Sequence, residues 1–383
     1  MARIELFRYR ITLFQLLGFK VSVDASWLLL AVLITWSLAV RYFPAAAPGL
    51  TTTTYWWLGL AGLIGFAFSI VSHELAHSVV ARQFNLPIRG ITLFVFGGVA
   101  EMEDEPPSPK AEFWMAIAGP VMSLFLALVF FLVGGLFVGS DVKQLGPIAA
   151  LFGLLSYANG MLGVFNLVPA FPLDGGRVLR AILWYRKGDI AWATRVAAGV
   201  GSVFGFVLMA VGLASMISGN IVIGIWWFLI GLFVRAAAAG EVSRLMARSA
   251  LSGTPVRRFM SSEVIAVRPD LSLDRLIEDY FYRYYFTTFP VCTDGRLIGC
   301  VSLKSTKAAV SEHAAMRTVA SAMEACPEDQ TVDPDTDSAE ALRRMQRTGV
   351  SRLFVTKNGK LVGILALRDL LNFLAIRAEL SGG

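Results

Sequence analysis

The sequence predicts a polytopic α-helical membrane domain followed by a soluble α/β domain built from two repeats. Three observations carry this: apolar segments of spanning length confined to the first part of the chain, a sharp change in charge density near residue 248, and a repeat of period about 64 beyond it. The 383 residues are 56% hydrophobic and 16% charged, with a mean hydropathy of +0.62, whereas an ordinary soluble domain carries about 25% charged residues. That apolar content excludes disorder and collagen-like repeats, and three cysteines exclude a disulfide scaffold. Met1–Arg248 holds 17 Lys/Arg and 12 Asp/Glu, while Ser249–Gly383 holds 17 and 16 in little more than half the length.

Taken in order, the N-terminus alternates (Ile4, Leu6, Arg8, Arg10, Thr12), which reads as a short strand pair rather than a cleaved signal. Six apolar segments follow: Ala25–Phe43, Trp56–Ala81, Phe113–Val138, Leu145–Val168, Ile190–Ile217 and Ile221–Ala239. Each is close to the ~20 residues that cross a bilayer as a helix. Between the second and third, Ile91–Ala100 is too short to span and rich in β-formers. It reads as a re-entrant β-hairpin whose Gly97, Gly98 and Val99 would pair with a substrate strand, the alternative being a packed interfacial loop. Glu101, Glu103, Asp104 and Glu105, with three prolines after them, read as an exposed turn.

Orientation follows from Lys and Arg, which concentrate in cytoplasmic loops. With the N-terminus inside, the internal segments hold fifteen (Arg3, Arg8, Arg10, Lys20, Arg82, Arg89, Lys110, Arg177, Arg180, Arg186, Lys187, Arg195, Arg235, Arg244, Arg248) and the external loops two, Arg41 and Lys143. Both termini and the soluble domain are therefore expected in the cytoplasm of a multi-pass cell-membrane protein. Cys292, Cys300 and Cys326 all fall in the soluble part, an odd count that fits reduced cytosolic thiols. The net charge of +6 does not indicate nucleic acid, because the basic residues flank apolar segments instead of forming a stripe.

Ionisable residues inside a spanning helix are costly and mark function. The second segment ends in Ser72-His73-Glu74-Leu75-Ala76-His77, two of the chain's three histidines with an acid between them. Positions i and i+4 share a helix face, so both imidazoles would point at one ion, and the spacing is that of zinc peptidases with the Glu as general base. A pair of core histidines is the alternative; it leaves Glu74 unexplained. A third ligand is needed, and Asp174 is the candidate. It follows Pro169 and Pro172, which no regular helix accommodates, at a place where broken backbone needs protein or a watery cavity around it. Capping the basic segment that follows is the other role open to Asp174.

These residues carry a resemblance. His73-Glu74-x-x-His77, Ala118-Gly119-Pro120, Asn166 through Pro169 to Pro172-Leu173-Asp174-Gly175, and the Gly18–Asp24 stretch are similar to the site-2 protease family of intramembrane zinc metalloproteases. The resemblance implies one Zn2+ per chain at His73, His77 and Asp174, Glu74 as the proton carrier, and regulated cleavage of a single-span membrane protein within the bilayer. It also implies that Asn166 hydrogen-bonds the substrate or the developing oxyanion, unless that amide only satisfies the broken helix end. Ser123 stands where the family often has Asn, which puts one supporting hydrogen bond in question.

Beyond Arg258, Asp294-Gly295-Arg296-Leu297-Ile298-Gly299 parallels Asn358-Gly359-Lys360-Leu361-Val362-Gly363, and Val264–Pro269 parallels Gln330–Pro334. Each half reads as strand, helix, hairpin with a tight Gly turn, and helix. The pair resembles a tandem cystathionine-β-synthase-type (CBS) domain over 255–379, with repeats about 255–313 and 318–379. That resemblance implies an adenine nucleotide between the repeats or a dimerisation or substrate-docking role. The nucleotide motif is incomplete in both halves: Ser302 lacks its Asp, since Ser305 follows, and Asp369 is preceded by Ala366. A CBS-regulated ion transporter or channel is the competing architecture; it requires neither the His-Glu-x-x-His spacing nor the Pro-x-x-Pro-Leu-Asp-Gly run.

Overall fold

The long apolar runs need hydrogen-bond acceptors for the free amides at their starts, and the sequence places a small polar residue ahead of most of them. In the computed structural model, which describes residues 10–86, 88–94, 97–102, 106–138, 146–311 and 318–381, Asp24 Oδ1 accepts from the Ser26 amide at 2.9 Å and opens α1 (Ala25–Ala46). Thr51 Oγ1 accepts from the Thr54 amide at 3.3 Å ahead of α2 (Thr52–Gln83), and Ser108 Oγ accepts from Ala111 at 3.2 Å ahead of α3 (Pro109–Gly135). After α4 (Pro147–Asn166) the chain breaks, forms the short α5 (Asp174–Lys187), and returns as α6 (Ile190–Ile217) and α7 (Ile221–Leu251). Six of these helices, all but α5, are long and apolar enough to cross a membrane. The protein is a multi-pass membrane protein.

The ends differ from expectation in two places. The last helix continues twelve residues past Ala239, because Glu241, Val242, Arg244, Leu245 and Met246 keep helix propensity after the apolar face ends. The basic segment after Asp174 is itself a helix; its two leading glycines and five charged residues conceal a buried face at Gly175, Gly176, Arg180 and Ala181. The Ile4–Arg8 part of the expected N-terminal strand, Val95–Phe96, Glu103–Glu105, Lys143, Leu145 and His313 lie outside the described residues.

Chain contacts between α6 and α7 depend on small residues: a Cβ on Gly205 would lie 2.7 Å from the Gly231 carbonyl oxygen. Such close approach is how helices associate where lipid removes the hydrophobic drive. A four-stranded sheet sits against α2, formed by β1 (Arg10–Leu16), β2 (Phe19–Asp24), β3 (Ile88–Phe94) and β4 (Gly97–Met102) in that order. β2 and β3 are parallel and the other pairs antiparallel. Val21, Val23 and Leu93 pack on Val71 of α2. Near the end of α2, Arg82 donates to the Leu17 carbonyl at 2.6 Å and lies 4.0 Å from the centre of the Phe19 ring, which ties the β1–β2 turn down. The expected hairpin over 91–100 is thus present as β3 and β4, with β4 on the sheet edge.

The first compact unit covers Met1–Ser243 and the second Arg244–Gly383. The second holds one sheet in the order β5-β6-β9-β8-β7, with β5 (Thr288–Thr293), β6 (Arg296–Ser302), β7 (Thr331–Val332), β8 (Arg352–Lys357) and β9 (Lys360–Ala366). Asp294-Gly295 and Asn358-Gly359 have φ of 48°, 76°, 53° and 77°, the left-handed pairs that two-residue hairpins favour. Helices α8 (Leu303–Ser311), α9 (Ser338–Thr348) and α10 (Leu367–Ser381) cover it. The unit buries two cores, one around Phe289, Val291 and Val301 and one around Leu342, Leu353 and Leu365, to which Val256 from the start of the first repeat also belongs. Val264–Pro269 does not form the expected strand: only Val267 bridges to Val291, since two residues on, Pro269 has no amide to continue a ladder. Leu353→Ala in the second core, where the side chain is fully buried, should cost about 2–5 kcal/mol; pulse proteolysis of the full chain in urea should show the lowered midpoint.

Candidate metal centre

The spacing of His73 and His77 puts both imidazoles on one face of α2, and both are buried. Asp174 comes to them from the other side of the break: it is the first residue of α5, and Leu173 occupies the cap position ahead of it. Asp174 Oδ2 lies 3.2 Å from His73 Nε2 and 3.2 Å from His77 Nε2, and the two Nε2 atoms are 3.2 Å apart. Tetrahedral zinc with bonds of about 2.0–2.1 Å keeps its donors about 3.3 Å apart, so the donor set fits that ion in kind and in spacing. Burial pushes the Asp174 carboxyl up, and the neighbouring His77 and His73 outweigh it, holding the group well below the usual carboxylate range.

The imidazoles are aimed from behind. Met115 O sits 2.6 Å from His77 Nδ1; a carbonyl only accepts, so Nδ1 carries the proton and Nε2 keeps its lone pair for the centre. Ser123 Oγ is 2.8 Å from His73 Nδ1 and is fully buried. Ser123 thus gives the His73 ring a hydrogen-bond partner behind it. Between these two lies Gly119: a Cβ there would collide with His77 Nε2 and come within 2.6 Å of His73 Nε2. Met115, Gly119 and Ser123 fall at i, i+4 and i+8 on α3, one face, and that spacing was the available signal for the two supporting groups. The carbonyl itself leaves no mark on a sequence. On the far side, a Cβ on Gly175 would strike the Leu167 and Val168 carbonyl oxygens, so only glycine lets α5 begin this close beneath the break.

Glu74 is half-buried beside the pair. Gly98 of β4 runs against it: a Cβ there would be 2.7 Å from Glu74 Cγ. Gly97, Gly98 and Val99 pair with Phe94, Leu93 and Thr92, so the edge strand passes the acid. Asn166, the last residue of α4, is half-buried, and among the described residues its side chain makes no hydrogen bond to the broken helix end.

The profile of peptidase family M50 matches residues 61–144 and 136–212, and the CBS domain profile matches 256–312 and 319–376. Zinc metalloprotease MJ0392 of Methanocaldococcus jannaschii is 32% identical over 96% of this chain and 97% of its own. The chain belongs to peptidase family M50. The protein Rip3 of Mycobacterium tuberculosis is 34% identical to this M50 chain over 94% of it and 92% of Rip3. The solved site-2 protease from Methanocaldococcus jannaschii, at 32% identity and a TM-score of 0.43, covers 61% of this chain and 95% of that one. By its family and its zinc metalloprotease relatives the M50 chain is a metalloendopeptidase with a CBS pair, which decides against the transporter or channel.

In the CBS unit of the M50 protease a cleft is lined by Phe286, Thr287 and Pro290 of the first repeat and Gly349, Ser351 and Arg352 of the second. The Arg352 guanidinium lies 3.8 Å from the centre of the Phe286 ring. Neither Ser302 nor Asp369 lines this cleft. Ser302 closes β6, where its Oγ accepts from the Ser305 amide at 3.0 Å and caps α8, and Asp369 lies in the first turn of α10. Among the described residues no hydrogen bond joins them. For the metal centre, Ser123→Ala should weaken zinc binding about 10–100-fold, the usual effect of losing a ligand's outer partner; chelator competition on the purified protein checks it.

Proposed function

We propose that this protease holds one Zn2+ on His73, His77 and Asp174 and hydrolyses a peptide bond within the membrane-spanning segment of a single-span membrane protein, as a step of regulated intramembrane proteolysis. The observation that carries the reading is the triangle of donor atoms, each 3.2 Å from the next, with Glu74 on the same helix as two of them. A zinc ion there supplies a Lewis acid for the scissile carbonyl and brings the pKa of water down to about 7. Glu74 accepts the proton of the attacking water and passes it to the leaving amine nitrogen. Asn166, with its amide uncommitted among the described residues, donates to the substrate carbonyl oxygen as charge develops there. Met115 and Ser123 hold the imidazoles so that neither ring turns during the cycle.

A substrate helix has its amides already bonded, so cleavage requires it to unwind, and the exposed N–H and C=O groups then need partners. The edge of β4 at Gly97, Gly98 and Val99 supplies them by strand addition next to Glu74, which is the use the re-entrant reading of the hairpin gives it. The fifteen-to-two distribution of basic residues supports a cytoplasmic N-terminus, C-terminus and CBS pair, and so water and product exchange on the cytoplasmic side. Glu74→Gln is expected to retain zinc while cleavage falls by a hundredfold or more, on the order of what a lost general base costs; cleavage at the wild-type rate sinks the assignment. The substrate for that assay is the single-span protein that accumulates in membranes of the Glu74→Gln strain by quantitative proteomics.

For the CBS pair we propose adenine-nucleotide control, with dimerisation or substrate docking as the competing use. The cleft that both repeats line supports it, with the stacked Phe286–Arg352 pair placing a cation in its wall. Calorimetry of the full chain should give a saturable heat with at least one of ATP, ADP and AMP, and flat titrations with all three remove the nucleotide reading.

A further inference from the structure

The metal centre joins parts of the chain that nothing covalent holds in register. α2 supplies both histidines, α3 aims them, and Asp174 arrives at the head of a separate short helix after an irregular break of seven residues, Leu167–Leu173. One buried side chain answers what fixes that helix. Arg180 is 5% exposed and Glu112 of α3 is fully buried. Arg180 Nε donates to Glu112 Oε1 at 2.6 Å, and Nη2 makes a second contact with the same oxygen. Nη1 reaches Glu241 Oε1 of α7 at 3.3 Å, and the guanidinium lies 5.1 Å from the centre of the Phe171 ring.

The placement is specific. Phe171 precedes Asp174 by three residues and Arg180 follows it by six, so one side chain clasps both flanks of the ligand. Glu112 precedes Met115 by three, on the α3 face that carries Met115, Gly119 and Ser123. α5 is thus tied at two points about 9 Å apart along its axis: to α2 where the three donor atoms gather, and to α3 at the ion pair. Two points fix the rotation of a short helix where one would leave it free. Apolar residues of the same size hold buried helices together at least as well as an ion pair does; what they lack is the direction of a two-nitrogen grip.

We infer that Arg180 is a positioning residue: through Glu112 and Phe171 it sets the start of α5, and with it the Asp174 carboxylate, against the histidine pair. The inference rests on the reading of His73, His77 and Asp174 as zinc ligands. It is tested on the purified full chain in detergent, with the zinc dissociation constant measured by chelator competition and the melting temperature of each metal-free form measured beside it. Wild-type protein that binds no zinc defeats the underlying reading. With wild-type binding in hand, Arg180→Met and Glu112→Gln should each weaken zinc about tenfold or more, the double variant should be no worse than the weaker single, and Arg180→Lys should fall between. Gly205→Ala, which crowds α6 and α7 instead, should lower the melting temperature and leave the zinc constant where it was. Zinc constants within about twofold of wild type in Arg180→Met and Glu112→Gln overturn the inference, as does an equal weakening in Gly205→Ala. Should Arg180→Met fail to fold, Arg180→Lys and Glu112→Gln, close in size to the native residues, decide the matter by the same two readings.

Discussion

The structure depends on three polar atoms being held 3.2 Å from one another inside an apolar bundle. Two imidazoles and a carboxylate can meet at that separation only if each is turned the right way by something behind it. The requirement propagates outward. α2 must run unbroken through Ser72–Ser78, α3 must pass close enough to present Met115 and Ser123, and the chain must abandon helical geometry after Asn166 to return an acid to the same spot. The prolines at 169 and 172 and the glycines at 175 and 176 are the local form of that detour.

Much of this was legible before any coordinates. Hydropathy gave six spans because lipid-facing helices are apolar all round, a signal that survives without partners. The histidine pair was visible because i, i+4 spacing is local, and Asp174 because two prolines break a pattern. The Asp-Gly and Asn-Gly turns announced both hairpins of the second unit. What the sequence withheld is what distant segments do together. The parallel pairing of β2 with β3 joins residues some seventy positions apart. Ser123 looked like a weak substitute until its distance from His73 was known, and Arg180 looked like one more basic loop residue among several. α5 was hidden for the related reason that its buried stripe consists of glycine, alanine and an arginine, none of which raises a hydrophobic pattern.

The two units are built on different terms. The second keeps fully buried Leu, Val and Phe in two cores, as a water-soluble sheet must. The first leaves large apolar side chains such as Leu29, Trp36, Phe131, Phe206 and Trp226 facing outward, and beside buried apolar residues such as Phe43 and Ile91 its interior admits alanine, glycine, serine and a few charged groups such as Glu112 and Arg180. Asn159 illustrates the economy: its amide donates to Ser69 Oγ at 2.8 Å, one helical turn before His73.

Gly119 gives this arrangement an unusual vulnerability. Alanine favours a helix over glycine by about 0.8–1 kcal/mol, so a methyl at this position would make α3 intrinsically sturdier while filling the space that the two ring nitrogens enclose. Robustness and turnover are therefore opposed at a single carbon. A heat-tolerance screen blind to catalysis would favour the inert molecule, and an evolving lineage that drifted to alanine here would keep a well-folded membrane protein with its chemistry gone.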